Sequence, residues 1–247
     1  MSDSRERAQR AKHAVTRAVR AGIATDLHHG AVVPPIHLSS TFAFDGFGKK
    51  RSYDYTRTGN PTRDYLAQAL AELEGGSRGV VTSTGMSAVN LVLQLVRPGD
   101  LVVAAHDCYG GTHRLLRSLA ARGHFEVLFT DLTCEGAADL VRVERPRLLW
   151  IETPSNPLLR ITDLERVIAA GHDAGATVAV DNTFLSPVLQ RPLELGADLV
   201  VHSTTKYLNG TATSSAVPSL PPTPHSARNW RGGRTVSVSL ERHSTVF

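Results

Sequence analysis

Val200-Val201-His202-Ser203-Thr204-Thr205-Lys206-Tyr207-Leu208-Asn209-Gly210 passes from β-branched apolar residues into small hydroxyl side chains and then a single lysine. The apolar run over 198–201 has the character of a buried strand, which would carry Lys206 to the edge of a sheet. An amine mounted there can form a Schiff base once burial or nearby cations lower its pKa. Ser203 and Thr205 beside it can donate hydrogen bonds to a phosphate. Ser-x-Thr-Lys alone fits a surface lysine just past a strand equally well, so the rest of the chain has to decide.

Upstream of this stretch the pattern is regular. Short apolar segments over 79–82, 101–105, 125–129, 148–152 and 177–180 alternate with helical stretches over 63–74, 86–96, 112–121, 136–143 and 164–174. Strand-helix alternation with nearly continuous apolar strands predicts a doubly wound, parallel α/β sheet. Ligands of such sheets bind beyond the carboxyl ends of the strands, so chemical residues should follow strands. Earlier in the chain, residues 4–21 mix Ala and Val with Arg and Lys at helical spacing and predict an amphipathic N-terminal helix. Pro34-Pro35 and three glycines interrupt 31–50, which predicts an extended arm. An arm carrying Ile36, Leu38, Phe42, Phe44 and Phe47 is costly to leave in water, and a partner subunit is the expected cover.

Composition excludes several classes. The 247 residues, 41% hydrophobic and 20% charged, suit a globular protein of one large domain or somewhat more. The net charge of +4 comes from scattered Lys and Arg, a pattern of solvated faces rather than a nucleic-acid site. Cys108 and Cys134 give neither a disulfide framework nor a CxxC metal pair. His28, His29 and His37 lack the Cys or carboxylate spacing of a metal site. No apolar run reaches membrane-spanning length and the polar N-terminus lacks a signal peptide's apolar core, so a cytoplasmic location is expected. A nicotinamide-binding domain is disfavoured because no GxGxxG follows the first strand.

The segments that follow strands carry the chemistry. Thr82-Ser83-Thr84-Gly85-Met86-Ser87 opens a helix with small residues whose N–H groups can cradle a phosphate, or makes a plain turn. His106-Asp107-Cys108-Tyr109-Gly110-Gly111 puts an aromatic ring where it can stack on a planar cofactor or pack in its loop. Glu152-Thr153-Pro154-Ser155-Asn156-Pro157 is a rigid loop presenting Asn156. Asp181-Asn182-Thr183-Phe184 places a carboxylate at the end of a buried strand, where it needs a cation or donor. Tyr55 and Arg57, two apart in an extended segment, can offer a phenol and a guanidinium to one phosphate or form a surface pair. A phosphate cradle, a stacking ring, an acid for a ring nitrogen and an amine for an aldehyde together describe a site for pyridoxal 5'-phosphate (PLP).

These residues lie in VVPPIHLSSTF, YDYTRTGNPTRDYLAQALAELEGG, STGMSAVNL, RPGDLVVAAHDCYGGTHRL, ETPSNPLLRITDL and DNTFLSPVLQRPLELGADLVVHSTTKYLNG. With them the chain resembles the Cys/Met-metabolism PLP-dependent enzymes, the trans-sulfuration enzymes, and is most similar to their cystathionine γ-synthase group. The resemblance runs from about Val15 to Gly210. It implies the aspartate aminotransferase-like, type I fold, a large α/β domain whose mostly parallel sheet has helices on both faces. It implies Lys206 as the Schiff-base lysine, Asp181 on the pyridinium nitrogen, Tyr109 stacked on the ring and Asn156 near the phenolic oxygen. Phosphate contacts are implied for Gly85, Met86, Ser203 and Thr205, and Thr183 joins the cofactor-binding set beside Asp181. Tyr55 and Arg57 would reach into a neighbouring subunit's site, and Tyr55 joins Lys206 and Tyr109 in the implied catalytic set. The family forms homotetramers of active-site-sharing dimers. The implied reaction is γ-replacement, in which cysteine displaces the acyl group of an O-acylhomoserine, usually O-succinylhomoserine, to give cystathionine. Cystathionine γ-lyase, β-lyase and methionine γ-lyase activities share nearly all these residues.

The resemblance stops at Gly210, where the family continues His-Ser-Asp-Val-Val into a further strand and a C-terminal small domain bearing the arginine for the substrate carboxylate. Here Thr211-Ala212-Thr213-Ser214-Ser215-Ala216-Val217-Pro218 follows, and residues 211–247 are rich in Pro, Ser, Thr and Arg without sustained periodicity. That run can be encoded ACA GCG ACG TCG TCG GCG GTG CCG. One C restored in front gives CAC AGC GAC GTC GTC GGC GGT GCC, which reads His-Ser-Asp-Val-Val-Gly-Gly-Ala. A frameshift is therefore the expected origin of 211–247, and a coding sequence that cannot be written this way would refute it. The organisation expected is an N-terminal helix and arm over 1–60, an incomplete PLP-binding domain over 61–210 and an aberrant, disordered tail over 211–247. One flank of the sheet would be uncovered and activity weak, or limited to association with other subunits.

Overall fold

The computed structural model describes residues 15–209, apart from 22 and 24, and residues 237–241. The chain enters with a helical turn over 15–20; the rest of the helix expected over 4–21 lies outside the described residues, except residue 21, a turn. The elements that follow are α1 (Pro61–Glu74), β1 (Arg78–Thr82), α2 (Gly85–Val92), β2 (Leu101–Ala105), α3 (Gly110–Ala121), β3 (Glu126–Thr130), α4 (Ala137–Glu144), β4 (Leu148–Glu152), α5 (Leu164–Asp173), β5 (Thr177–Asp181), the single turn α6 (Ser186–Leu189), β6 (Leu199–Ser203) and β7 (Ser237–Glu241). Local chemistry sets several of these boundaries. The Asn60 side chain caps α1 by accepting the Thr62 N–H, Pro61 takes the position where a helix needs no donor, and Gly75 ends it at φ 76°. Thr84 caps α2 through the Ser87 N–H, and Asp163 caps α5 through that of Arg166.

The seven strands lie in the order β1-β7-β6-β5-β4-β2-β3. β3, β2, β4, β5 and β6 run parallel, as the apolar runs predict, while β7 is antiparallel to both neighbours. All five residues of β4, Leu148 to Glu152, are buried. Leu149 and Ile151 pack on one face of the sheet with Leu70 of α1, Val141 of α4 and Ile168 of α5. Leu148 and Trp150 pack on the other with Val89 of α2 and Leu116 of α3. Helices on both faces make this the large-domain α/β architecture of the aspartate aminotransferase-like fold. α1 sits so close to β1 that a Cβ on Gly79 would lie 2.3 Å from the Ala67 carbonyl oxygen, so only glycine fits there.

One expectation needs correction. The flank beside β6 is not bare: Ser237–Glu241, inside the stretch expected to be disordered, pairs with both β1 and β6. The reason is visible in Ser237-Val238-Ser239-Leu240-Glu241, whose polar-apolar alternation has the two-residue period of a strand. The remainder of 210–247 lies outside the described residues. The arm, in turn, folds back on itself: the Phe42 N–H donates to the Asp54 carbonyl and the Thr56 N–H to that of Ser40. It is tied to the start of α1 by the His37 N–H on Thr62 Oγ1 (2.8 Å) and by Asn60 Nδ2 on the His37 carbonyl (3.1 Å). Among the described residues no helix is long and apolar enough to cross a membrane.

Candidate active site

The carboxyl ends of β2, β4, β5 and β6 and the start of α2 surround a cavity of about 260 Å³. Gly85, Met86, Tyr109, Asn156, Asp181, Thr183, Ser203, Thr205 and Lys206, all anticipated from sequence, line it. Lys206 is exposed at its rim. Tyr55 and Arg57 are not among the lining residues; they sit on the arm, with the Arg57 guanidinium 5.0 Å from the centre of the Tyr55 ring.

One wall is a helix terminus. Thr84 Oγ1 takes the Ser87 N–H, leaving the Gly85 and Met86 N–H groups at the open end of α2. Ser203 and Thr205 line the cavity with hydroxyls, and the Ser203 N–H is itself fixed by Thr183 Oγ1 at 2.9 Å. These donors suit a phosphate. Gly111 follows Tyr109, where a Cβ would meet the Tyr109 ring at 2.5 Å and the Met86 sulfur at 2.9 Å; glycine lets ring and thioether close on each other.

Two carboxylates, Glu152 and Asp181, also line the cavity. Asp181 Oδ1 accepts from Thr183 Oγ1 (2.5 Å) and from the Thr183 N–H (3.1 Å). Burial nevertheless drives the Asp181 carboxyl above the ordinary aspartate range, with the Thr183 bonds and His202 opposing the rise. Glu152 stands opposite Asp181 in the pairing of β4 with β5. Burial and then the Asp181 charge push its carboxyl up to about 8. Cys108, buried in the next loop, is raised to about 12 by burial and by Glu152, Asp107 and Asp181. Burial thus disfavours the ionised forms of these groups, and a cationic ligand beside Asp181 would restore its charge.

The strand ends are braced from behind. Glu74, at the end of α1, holds His202 Nε2 at 2.5 Å and Asn182 Nδ2 at 2.8 Å through one carboxylate oxygen, all three side chains buried. Asn182 follows Asp181 and His202 precedes Ser203, so this network fixes both site residues relative to α1. On the outer side Arg160 bridges the loops after β2 and β3, reaching Asp131 Oδ2 (2.5 Å), Thr133 Oγ1 (2.6 Å) and Asp107 Oδ2 (4.0 Å). Ser155 Oγ donates to the same Asp107 oxygen at 2.7 Å.

Sequence reasoning did not single out Thr84, Val89, Thr112, Glu152, Phe184 and Val201 as site residues, although they line the cavity. Thr112 is fully buried and its hydroxyl has no partner among the described residues, as in a pocket shaped for a ligand. Glu152 was legible as a carboxylate ending a strand, the same signal that singled out Asp181. No described group of His, Cys, Asp or Glu could hold a metal ion.

The fold, and a cavity lined by N–H and hydroxyl donors, two carboxylates, a phenol and an amine, fit the class of type I PLP-dependent enzymes. The family model described as Cys/Met metabolism PLP-dependent enzyme matches residues 15–216, and the chain belongs to that family. It is 57% identical over 196 residues to the cystathionine gamma-synthase of Escherichia coli (strain K12), covering 79% of this chain and 51% of that protein. It is 41% identical over 199 residues to the cystathionine beta-lyase of Coxiella burnetii (strain RSA 493 / Nine Mile phase I), covering 80% of this chain and 51% of that protein. The crystal structure of cystathionine gamma synthase from Xanthomonas oryzae pv. oryzae in complex with cystathionine superposes with a TM-score of 0.83 at 53% identity, over 94% of this chain and 55% of that one. The chain thus spans about half the length of the relatives it matches.

Proposed function

We propose that residues 61–210 form the cofactor-binding part of a trans-sulfuration enzyme of the cystathionine γ-synthase type. The reaction is γ-replacement: the cysteine sulfur bonds to Cγ of O-succinylhomoserine as the Cγ–O bond breaks, giving cystathionine and succinate. The observation that carries this reading is that the phosphate-suited donors of Gly85, Met86, Ser203 and Thr205, the Asp181 carboxylate and Lys206 all line one cavity. Identity of 57% to a cystathionine gamma-synthase against 41% to a cystathionine beta-lyase favours the synthase over the lyase.

Bound PLP supplies an electron sink for the carbanion that forms when the substrate's Cα loses its proton. Lys206 Nζ takes that proton and returns it further along the chain, the role of a general base and then acid. Asp181 would face the ring nitrogen of the bound cofactor, where its carboxylate would favour a proton. Thr183 keeps the Asp181 oxygen aimed. The Gly85 and Met86 N–H groups with Ser203 and Thr205 would hold the phosphate, with Asn156 on the side of the phenolic oxygen and Tyr109 over the ring. Tyr55 and Arg57, on an arm with exposed apolar residues, serve the site of a neighbouring copy, and the working assembly is a homo-oligomer of this family's kind.

The test is to supply the PLP-loaded protein with O-succinylhomoserine plus cysteine, and separately with cystathionine alone. Cystathionine formed only when both substrates are present is the expected result. Faster release of an oxo acid and ammonia from cystathionine alone would replace the synthase reading with a lyase.

A further inference from the structure

Glu152 is used by none of the roles above, although it is buried, lines the cavity and closes β4 directly opposite Asp181. Its Oε2 accepts the backbone N–H of Tyr109 at 2.8 Å, a bond spanning 43 residues of sequence. Tyr109 begins α3 as its N-cap and has no side-chain cap bond of its own. Tyr109 as a whole is 45% exposed, so packing alone does not fix the residue.

We propose that Glu152 is a positioning residue for the cofactor: its carboxyl anchors the Tyr109 backbone to the end of β4 and so sets the phenol over the cavity at the level of Asp181. The inference rests on the PLP reading of the site. Asp107 and Ser155 add a second tie between the loops that follow β2 and β4, 2.7 Å apart, so the Tyr109 loop is held at two points and Glu152 governs the one nearer the cavity. A proton-bearing Glu152 donates no charge to compete with Asp181, and its raised pKa is in keeping with that state at neutral pH. An amide in its place keeps the acceptor oxygen; a methyl group removes it.

The experiment compares the 247-residue chain with its Glu152→Gln and Glu152→Ala variants in two measurements. Hydrogen exchange at the Tyr109 amide in cofactor-free protein reads the bond itself. Titration with PLP, followed by the induced circular dichroism of the bound cofactor, reads the ring's placement. Expected results are faster Tyr109 exchange, about tenfold weaker PLP binding and a reduced dichroic band for Glu152→Ala, with Glu152→Gln within about twofold of the parent in all three. Unchanged exchange, or an unchanged band and affinity in Glu152→Ala, would overturn the proposal, as would a Glu152→Gln variant that fails alongside Glu152→Ala. Failure of the parent to bind PLP would count against the site reading instead, and the exchange measurement would still judge the Glu152 anchor.

Discussion

The cavity edge and the N-terminal arm solve opposite problems. At the cavity edge the carboxylates are bonded within the chain: Asp181 to Thr183, Glu152 to Tyr109, Glu74 to His202 and Asn182. Along the arm, backbone bonds close the loop, yet Leu38 is 90% exposed and Phe47 wholly so. A single copy can therefore assemble the cavity from its own strand ends, while the arm leaves apolar side chains exposed. The site's chemistry and the exposed apolar surface thus belong to different parts of the sequence, and each can be perturbed without the other.

The largest expected effect sharpens the cavity side. Asp181→Asn removes the charge that a pyridinium nitrogen would meet, a charged hydrogen bond worth about 1.5–3 kcal/mol. PLP affinity, measured by fluorescence titration, should fall by one to two orders of magnitude while the melting temperature of the cofactor-free protein holds or rises, because a buried lone carboxylate is gone.

A smaller effect follows from Glu152. In the folded chain its carboxyl keeps a proton up to about 8, against an ordinary value of 4.5. Between those pH values the folded state binds the extra proton, so the stability this group contributes is complete below about 4.5 and is lost as pH rises towards 8. One proton changes the unfolding free energy by at most about 1.4 kcal/mol per pH unit. Urea unfolding of the cofactor-free chain should show stability declining across that window, and Glu152→Gln should flatten the decline.

The smallest effect on the fold belongs to the arm. Leu38→Ser with Phe47→Ser should move single-chain stability by no more than about 0.5 kcal/mol per site, as expected of exposed positions. Sedimentation should nonetheless show weaker self-association. A large loss of stability without a change in association would collapse the contrast between the two regions.

Much of the cavity was readable because each element there obeys its own local rule. Leu148 to Glu152 has no polar interruption until its last residue, and a strand buried on both faces requires that. Asp181 and Lys206 stood out as polar residues ending such runs. Glu152 did not, although it has the same sequence signature, because its neighbours Pro154 and Asn156 drew the reading toward the loop. Its role depends on strand order, which puts β4 beside β5, and a non-local pairing is invisible along the chain. The Glu74–His202 bond spans 128 residues and was out of reach for the same reason. α6 was missed because four residues are too few to show a helical period. β7 was missed because its short alternation is set in a stretch whose composition opposes order.

The most direct test of the account is borohydride reduction of the purified protein after PLP loading, followed by peptide mapping, with Lys206→Ala in parallel. The account predicts that the reduced cofactor is found on Lys206, that the visible absorbance band present before reduction disappears, and that Lys206→Ala gives neither. Label spread over other lysines, or equal labelling in Lys206→Ala, would contradict the assignment of this cavity as the PLP site.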